Sequence, residues 1–213
     1  MERLAIFDVD FTLTKRETLI EFYKFMLKKN SKFIIHMPRI LCTGILYALR
    51  LVPLKKAKED FIIFVDGIKE EEMKTHVKEF YEKRLSKILY KDAIAEIKRL
   101  KAEGCKIYLI SASAEFYLNE LYSIPEVDKV IGTRFMSENG IHKAKIHGEN
   151  CKGEEKVKRL MEELKKDNIE VDFKNSYMYS DSLSDLPLFN LVGYPYLINY
   201  RKKHDKIKIL KWK

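Results

Sequence analysis

Three short runs of the chain are apolar almost throughout and end in polar side chains. LAIFDVD (4–10) ends in Asp8 and Asp10, CKIYLISAS (105–113) in Ser111 and Ser113, and SYMYSDSLSD (176–185) in Asp181 and Asp185. Short continuous apolar runs are what strands buried on both faces require. Longer stretches with apolar residues three and four apart predict helices. DAIAEIKRLKAEG (92–104) precedes the second strand and stops at Gly104, a helix terminator, and EEKVKRLMEELKKD (154–167) precedes the third. EFYLNELY and LPLFNLVG follow the second and third strands as shorter helical patterns. KVIGTRF and YPYLIN read as further strands, and TRFMSENGIHKAKIHG turns at Asn139-Gly140, a hairpin signal. Strands alternating with helices predict an α/β protein with a parallel sheet covered on both faces. Ligands of such sheets bind beyond the carboxyl ends of the strands, where all three polar clusters fall.

Residues 15–90 break this rhythm. RETLIEFYKFMLKKN, KKAKEDFIIFVDGI and EEEMKTHVKEFYEKRLSKI are helical patterns with no strand between them. They predict a helical cap inserted after the first strand, over the mouth of the site. The core is then 1–14 plus 91–213 and the cap 15–90. Within the cap, FIIHMPRILCTGILYALRLVP (33–53) is long enough to span a bilayer. It contains His36, Pro38, Arg39 and Arg50, and a central Arg costs about 2.5–3.5 kcal/mol on insertion. A single span would also put Asp8 on one side of the membrane and Ser111 and Asp181 on the other. The stretch therefore reads as a buried cap helix. Contact with a membrane surface is the alternative that the flanking Lys28, Lys29, Lys32, Lys55, Lys56 and Lys58 keep open.

The chain has 213 residues, 46% of them hydrophobic, enough for a sizeable core. Net charge is +9, with residues 15–90 at +7, the tail RKKHDKIKILKWK (201–213) at +6, and the remainder acidic. Such patches suit a small anionic substrate, anionic lipid or nucleic acid, or are simply solvated surface. The basic segment and the tail, which carries Trp212, could together bind nucleic-acid phosphates without sequence preference, and no specific nucleic acid is expected. Three scattered cysteines, Cys42, Cys105 and Cys151, give neither a disulfide framework nor metal-ligand spacing. With the first strand beginning at residue 4, no signal peptide is expected, and the compartment expected is the cytoplasm. The five histidines are dispersed without zinc spacing, and no P-loop, dinucleotide-binding glycine pattern or GxSxG elbow appears.

Two carboxylates one residue apart at a strand end repel each other unless something positive lies nearby. Taken singly, each polar cluster has an ordinary explanation: Asp8 and Asp10 as turn residues, Ser111 as a helix cap, Asp181 and Asp185 as caps or surface. Together and in order they resemble a known constellation. DVDFT matches the DxDxT nucleophile motif of the haloacid dehalogenase-like (HAD) superfamily. LISAS resembles its second motif, CKGEEK its lysine motif and SDSLSD its paired acids. The placement of the cap is similar to the phosphoserine-phosphatase-like branch, subfamily IB.

The resemblance implies a Rossmann-like core with a C1-type helical cap, and a phosphatase acting on a small phosphomonoester through an aspartyl-phosphate. It implies Asp8 as nucleophile and Asp10 as general acid and base. Ser111 would bind the phosphoryl oxygens, and Lys152 would stabilise their charge. Mg²⁺ would be held by Asp8, the Asp10 carbonyl and Asp181, with Asp185 orienting its neighbours. Lys152 is preferred because KGE best matches the lysine motif, with Lys156, one helical turn on, as rival. Glu17 falls where relatives contact a substrate amine, although a first-turn glutamate is also a favourable helix residue. Phe11 in the nucleophile loop, and Ala112 and Ser113 after Ser111, replace smaller residues and place phosphoserine itself in question. Phosphoryl transfer to another alcohol, or action on a lipid-linked phosphate at a membrane surface touched through 33–53 and the basic tail, are the alternative activities.

Overall fold

The computed structural model describes all 213 residues. The apolar runs become strands β1 (Arg3–Phe7), β2 (Cys105–Ala114) and β6 (Tyr177–Ser180). With β3 (Val127–Thr133), β7 (Tyr194–Ile198) and β8 (Lys208–Leu210) they form one parallel sheet in the order β3-β2-β1-β6-β7-β8. β1 lies between β2 and β6, with Phe7 opposite Leu109 on one side and Tyr179 on the other. Successive side chains of a strand point to opposite faces. Leu4 and Ile6 therefore enter one core with Tyr108, Ile110, Met178, Leu160 and Leu164. Ala5 and Phe7 enter the other with Ile107, Leu109, Tyr179, Ile97 and Leu100. Leu4, Ala5, Ile6 and Phe7 are all fully buried, and burial contributes about 2 kcal/mol for each of the larger side chains.

Helix α5 (Lys91–Ala102) covers one face and α7 (Glu154–Lys166) the other. The patterns EFYLNELY and LPLFNLVG give only the short α6 (Glu115–Leu118) and α8 (Leu186–Phe189). The hairpin is β4 (Phe135–Glu138) and β5 (Ile141–Ile146), turning through Asn139 and Gly140 with φ of 51° and 72°. Two consecutive positive φ values are the requirement of a type I′ turn. The basic tail packs back onto the core. Its Lys208–Leu210 segment pairs with β7, and Trp212 stacks on Tyr179 with ring centroids 5.7 Å apart. Asn199 fastens this end by hydrogen-bonding both the N–H and the carbonyl of Trp212.

The insertion comprises α1 (Thr18–Lys29), α2 (Met37–Ala48), α3 (Leu54–Phe61) and α4 (Glu70–Lys83). Its outgoing and returning chains pair, with Lys15 N–H donating to the Ile88 carbonyl and Tyr90 N–H to that of Leu13. Its Phe22, Phe64 and Phe80 belong to the same core as Phe7 and Leu109, with Phe22 stacked on Tyr117 at 5.0 Å. The hairpin buttresses it: Gly67 N–H donates to the His142 carbonyl, His142 N–H to that of Ile68, and Glu70 N–H to that of Gly140.

The expectation of a buried helix in 33–53 is corrected here. A 3₁₀ turn occupies Ser31–His36, and α2 buries only Ile40 and Thr43. Asp60 of α3 gathers Arg39 Nε at 3.0 Å, Thr43 Oγ1 at 3.0 Å and Lys56 Nζ at 2.8 Å. Burial alone would raise its pKa, but these partners hold it below the usual range. This polar clasp fixes the inner side of α2 against α3, and no element covers its outer side. No helix is long and apolar enough to cross a membrane.

Two glycines test the packing. A Cβ on Gly132 of β3 would lie 2.7 Å from the Glu115 Cα, whereas one on Gly44 of α2 meets nothing within 4 Å. Gly132→Ala should lower stability by about 1–3 kcal/mol, and Gly44→Ala should raise it by about 0.5–1 kcal/mol. Thermal melts of the two variants read both signs.

Candidate active site

Strand order reverses between β1 and β6, and the crevice at such a point is where α/β sheets bind ligands. β1 ends one residue before Asp8. The chain then wraps around the Val9 carbonyl, which accepts N–H bonds from Thr12, Leu13 and Thr14 at 3.3, 2.9 and 2.9 Å. Phe11 takes φ of 57° to make this turn and is left 47% exposed beside the site. Thr12 is fully buried, and its hydroxyl accepts the Asp181 N–H at 2.8 Å, locking the two acid-bearing loops together.

One lysine organises the acids. Lys156 Nζ lies 2.7 Å from Asp8 Oδ1 and 2.9 Å from Asp185 Oδ2, and Ser180 Oγ donates to the same Asp185 oxygen at 2.7 Å. Burial works against the charge of Lys156, but Asp8 and Asp185 outweigh it and hold the ammonium protonated above its ordinary range. Asp8 is pushed up to about 7, chiefly by burial, with Lys156 opposing and Asp185 and Asp10 adding repulsion. Asp181 is pushed up to about 6 by burial and by Asp185.

Lys156, not the preferred Lys152, is the lysine against Asp8. The reason is helical phase. Lys152 precedes Gly153, whose φ of 59° starts α7, and it is exposed at the cavity rim. Lys156 is on the inward stripe of α7 with the buried Leu160 and Leu164. That i, i+4, i+8 spacing was readable in the sequence and separates the two lysines.

Asp10 is held from a different side. Its Oδ1 accepts Thr18 N–H at 2.6 Å and Thr18 Oγ1 at 2.7 Å, and its Oδ2 accepts Ser113 Oγ at 2.6 Å, with Ser111 Oγ at 3.4 Å. Thr18 is the first residue of α1, so Asp10 satisfies one of that helix's orphan N–H groups. Ser111 Oγ also accepts Ser113 N–H at 3.0 Å.

A cavity of about 210 Å³ opens over these groups, lined also by Phe11, Glu17, Ala112 and Ser113. Lys58 of α3 reaches into it from the insertion and donates to the Ala112 carbonyl at 2.6 Å and Asn150 Oδ1 at 2.7 Å. Burial lowers the Lys58 ammonium to about 8 against the pull of Asp10 and Glu17. Glu17 is pushed up to about 7 by burial and by Asp10, with Lys58 opposing. Only the general basicity of the insertion pointed to Lys58, because the contact joins residues more than fifty apart in the chain.

The donor set fits a hard divalent cation. Four aspartates (Asp8, Asp10, Asp181, Asp185) and Glu17 line the cavity, and Lys156 is the one lysine hydrogen-bonded to any of these carboxylates. Asp185 Oδ1 is buried without any hydrogen-bond partner. All the available ligands are oxygens, which suits Mg²⁺. No three His, Cys, Asp or Glu side chains form a ready-made cage, and a hydrated cation that keeps several waters suits such a partial set of ligands.

Known proteins share this architecture. A protein of unknown function from Bordetella pertussis Tohama I superposes with a TM-score of 0.83 at 22% identity, over 94% of this chain and 92% of that one. Phosphoserine phosphatase, solved as a phospho-aspartyl intermediate analogue, superposes with a TM-score of 0.63 at 17% identity, over 94% and 88%. Protein CicA of Caulobacter vibrioides is 26% identical over 160 residues, which cover 75% of this chain and 71% of CicA. The profile of the haloacid dehalogenase-like hydrolases matches residues 5–190, a span holding both acid pairs, Ser111 and Lys156, and the chain belongs to that family.

Proposed function

We propose that the protein is a Mg²⁺-dependent phosphatase of a small phosphomonoester, working through an aspartyl-phosphate on Asp8. The observation that carries this reading is the buried Asp8, with Oδ1 engaged by Lys156 and Oδ2 without a hydrogen bond in the protein. A phosphate monoester dianion repels a carboxylate, so charge must be cancelled before attack. Asp8, Asp181 and the Asp10 carbonyl would hold the cation, which supplies charge neutralisation at the phosphoryl oxygens.

The chain's own groups do the rest. Asp8 Oδ2 forms a bond to phosphorus as the bond to the ester oxygen breaks, and Asp10 delivers a proton to that leaving oxygen. Asp10 then takes a proton from water as the water oxygen attacks phosphorus. The Asp8–phosphorus bond breaks, releasing inorganic phosphate and restoring the carboxylate. Thr18 and Ser113 keep Asp10 aimed during both transfers. Lys156 and the Ser111 hydroxyl stabilise the equatorial oxygens. Lys156, by its contact with Asp8, takes the role expected of Lys152, and Lys152 guides the anion at the rim. Glu17 and Lys58 give the non-phosphate part of the substrate one acid and one base to meet. The likeness to phosphoserine phosphatase supports the chemistry, while Phe11 crowds the loop and argues for a leaving group other than serine.

Hydrolysis of an aryl phosphate should require Mg²⁺ and stop with EDTA. Asp8→Asn should lower kcat by on the order of 10⁴-fold or more. Metal-independent turnover, or turnover surviving in that variant, would refute the mechanism. Lys156→Met should lower kcat about 10²–10³-fold while Lys152→Met leaves it nearly unchanged, as steady-state kinetics on folded variants would show; the reverse order would restore Lys152 to the role.

Glu17 gives a pH signature. Its carboxyl rises from 4.5 to about 7 on folding, so the folded state binds more protons across that window. Its contribution to stability is therefore present at low pH and is lost as pH rises through about 7. Glu17→Gln removes the burden of the buried charge. The variant should melt above the parent at about pH 8 and with it at about pH 4.

A further inference from the structure

The outer side of the insertion carries an apolar surface that the catalytic reading does not use. Ile35, Leu41, Ile45, Leu49 and Leu51 are 75%, 58%, 62%, 63% and 67% exposed. Leu41, Ile45 and Leu49 follow one another at i, i+4 and i+8 along α2 and its C-cap and so form a single stripe. α2 has 12 residues, a length of about 18 Å. Nothing in the chain packs on that stripe.

Charge identifies what covers it. From Asn30 to Lys58 the sequence contains six Lys and Arg and no Asp or Glu. Asp60 engages Arg39 and Lys56, while Lys28, Lys32 and Arg50 form no ion pair. Arg50 sits at φ of 60°, a turn position ordinarily given to glycine, and so places a cation between the exposed Leu49 and Leu51. A second copy of this face would set cation against cation. A surface that is both apolar and anionic complements it, and an amphipathic helix with basic flanks and no acids lies in the plane of such an interface.

The apolar surface also continues to the active site. Tyr47, Val52, Pro53 and Leu54 line a hollow at the end of α2, and Leu54 lines the catalytic cavity as well. One helical turn further on, Lys58 of α3 enters that cavity. We propose that the protein docks peripherally on bilayers containing anionic phospholipid, through the exposed stripe of α2 and the adjoining lysines, with the mouth of the active site at the level of the headgroups.

The test is co-sedimentation of the full chain with vesicles of phosphatidylcholine alone and of phosphatidylcholine with phosphatidylglycerol, at low and high salt. Binding should appear with the anionic vesicles and weaken with salt. A Leu41→Asp/Ile45→Asp double variant should bind roughly tenfold or more weakly, and Lys28→Glu/Lys32→Glu should also lose affinity. Both should melt as the parent does and hydrolyse a soluble aryl phosphate at its rate. No binding to anionic vesicles at low salt overturns the proposal. Binding unchanged in the Leu41/Ile45 variant overturns it too, by placing the contact elsewhere, such as the basic tail. A dimer in gel filtration that this variant breaks would assign the face to a second copy instead. The docking stands apart from the catalytic reading: vesicle binding without any phosphatase activity would sink only the latter.

Discussion

Everything in the site is arranged around one buried ammonium shared by two carboxylates. Lys156 comes from α7, Asp8 from the end of β1 and Asp185 from the segment after β6, so a single charge ties together three parts of the core. Taking these groups out of water is costly, and the cost is offset only because each finds its opposite at hydrogen-bond distance. The acids outnumber the one ammonium that touches them, a surplus of negative charge of the kind a divalent cation would offset. It also explains why Asp8 is both buried and available: its partner occupies one oxygen, the other is without a hydrogen bond, and the residue lines the cavity.

The sheet makes that contact possible. β1 is flanked by β2 and β6 at the point where strand order reverses, so their carboxyl ends deliver Asp8, Ser111 and Asp181 to one crevice. Thr12 joins the first and third of these loops through a buried hydroxyl, converting neighbouring strands into a fixed geometry. The insertion then supplies a roof from the far side, and its phenylalanines extend the same core that packs under β1.

The strands, both acid pairs and the hairpin were legible because each is written locally: an apolar run, a polar terminus, an Asn-Gly turn. Lys156 was half legible. Motif likeness favoured Lys152, but the spacing to Leu160 and Leu164 puts only Lys156 on the inward side of its helix. Lys58 was not legible, since its partners at Ala112 and Asn150 are brought near only by the docking of the insertion. The exposure of α2 was hidden for a related reason. An apolar segment reads as buried, and only the Asp60 clasp reveals that one side of this helix is held while the other has no neighbour. The packing of the tail was not legible either, since its lysines outweigh the short edge strand and the tryptophan that stacks on Tyr179.

The bond between Asp10 and the first residue of α1 divides the insertion into two parts with different freedom to diverge. The entry turn of α1 is committed, because changing its angle would release the Asp10 carboxylate and uncap the helix together. α2 is not so bound: it buries only Ile40 and Thr43, and Thr43 bonds Asp60 of α3. Length, hydropathy and charge can be rewritten there while turnover is preserved. The same catalytic core can thus be matched to different surroundings by altering one segment of about a dozen residues.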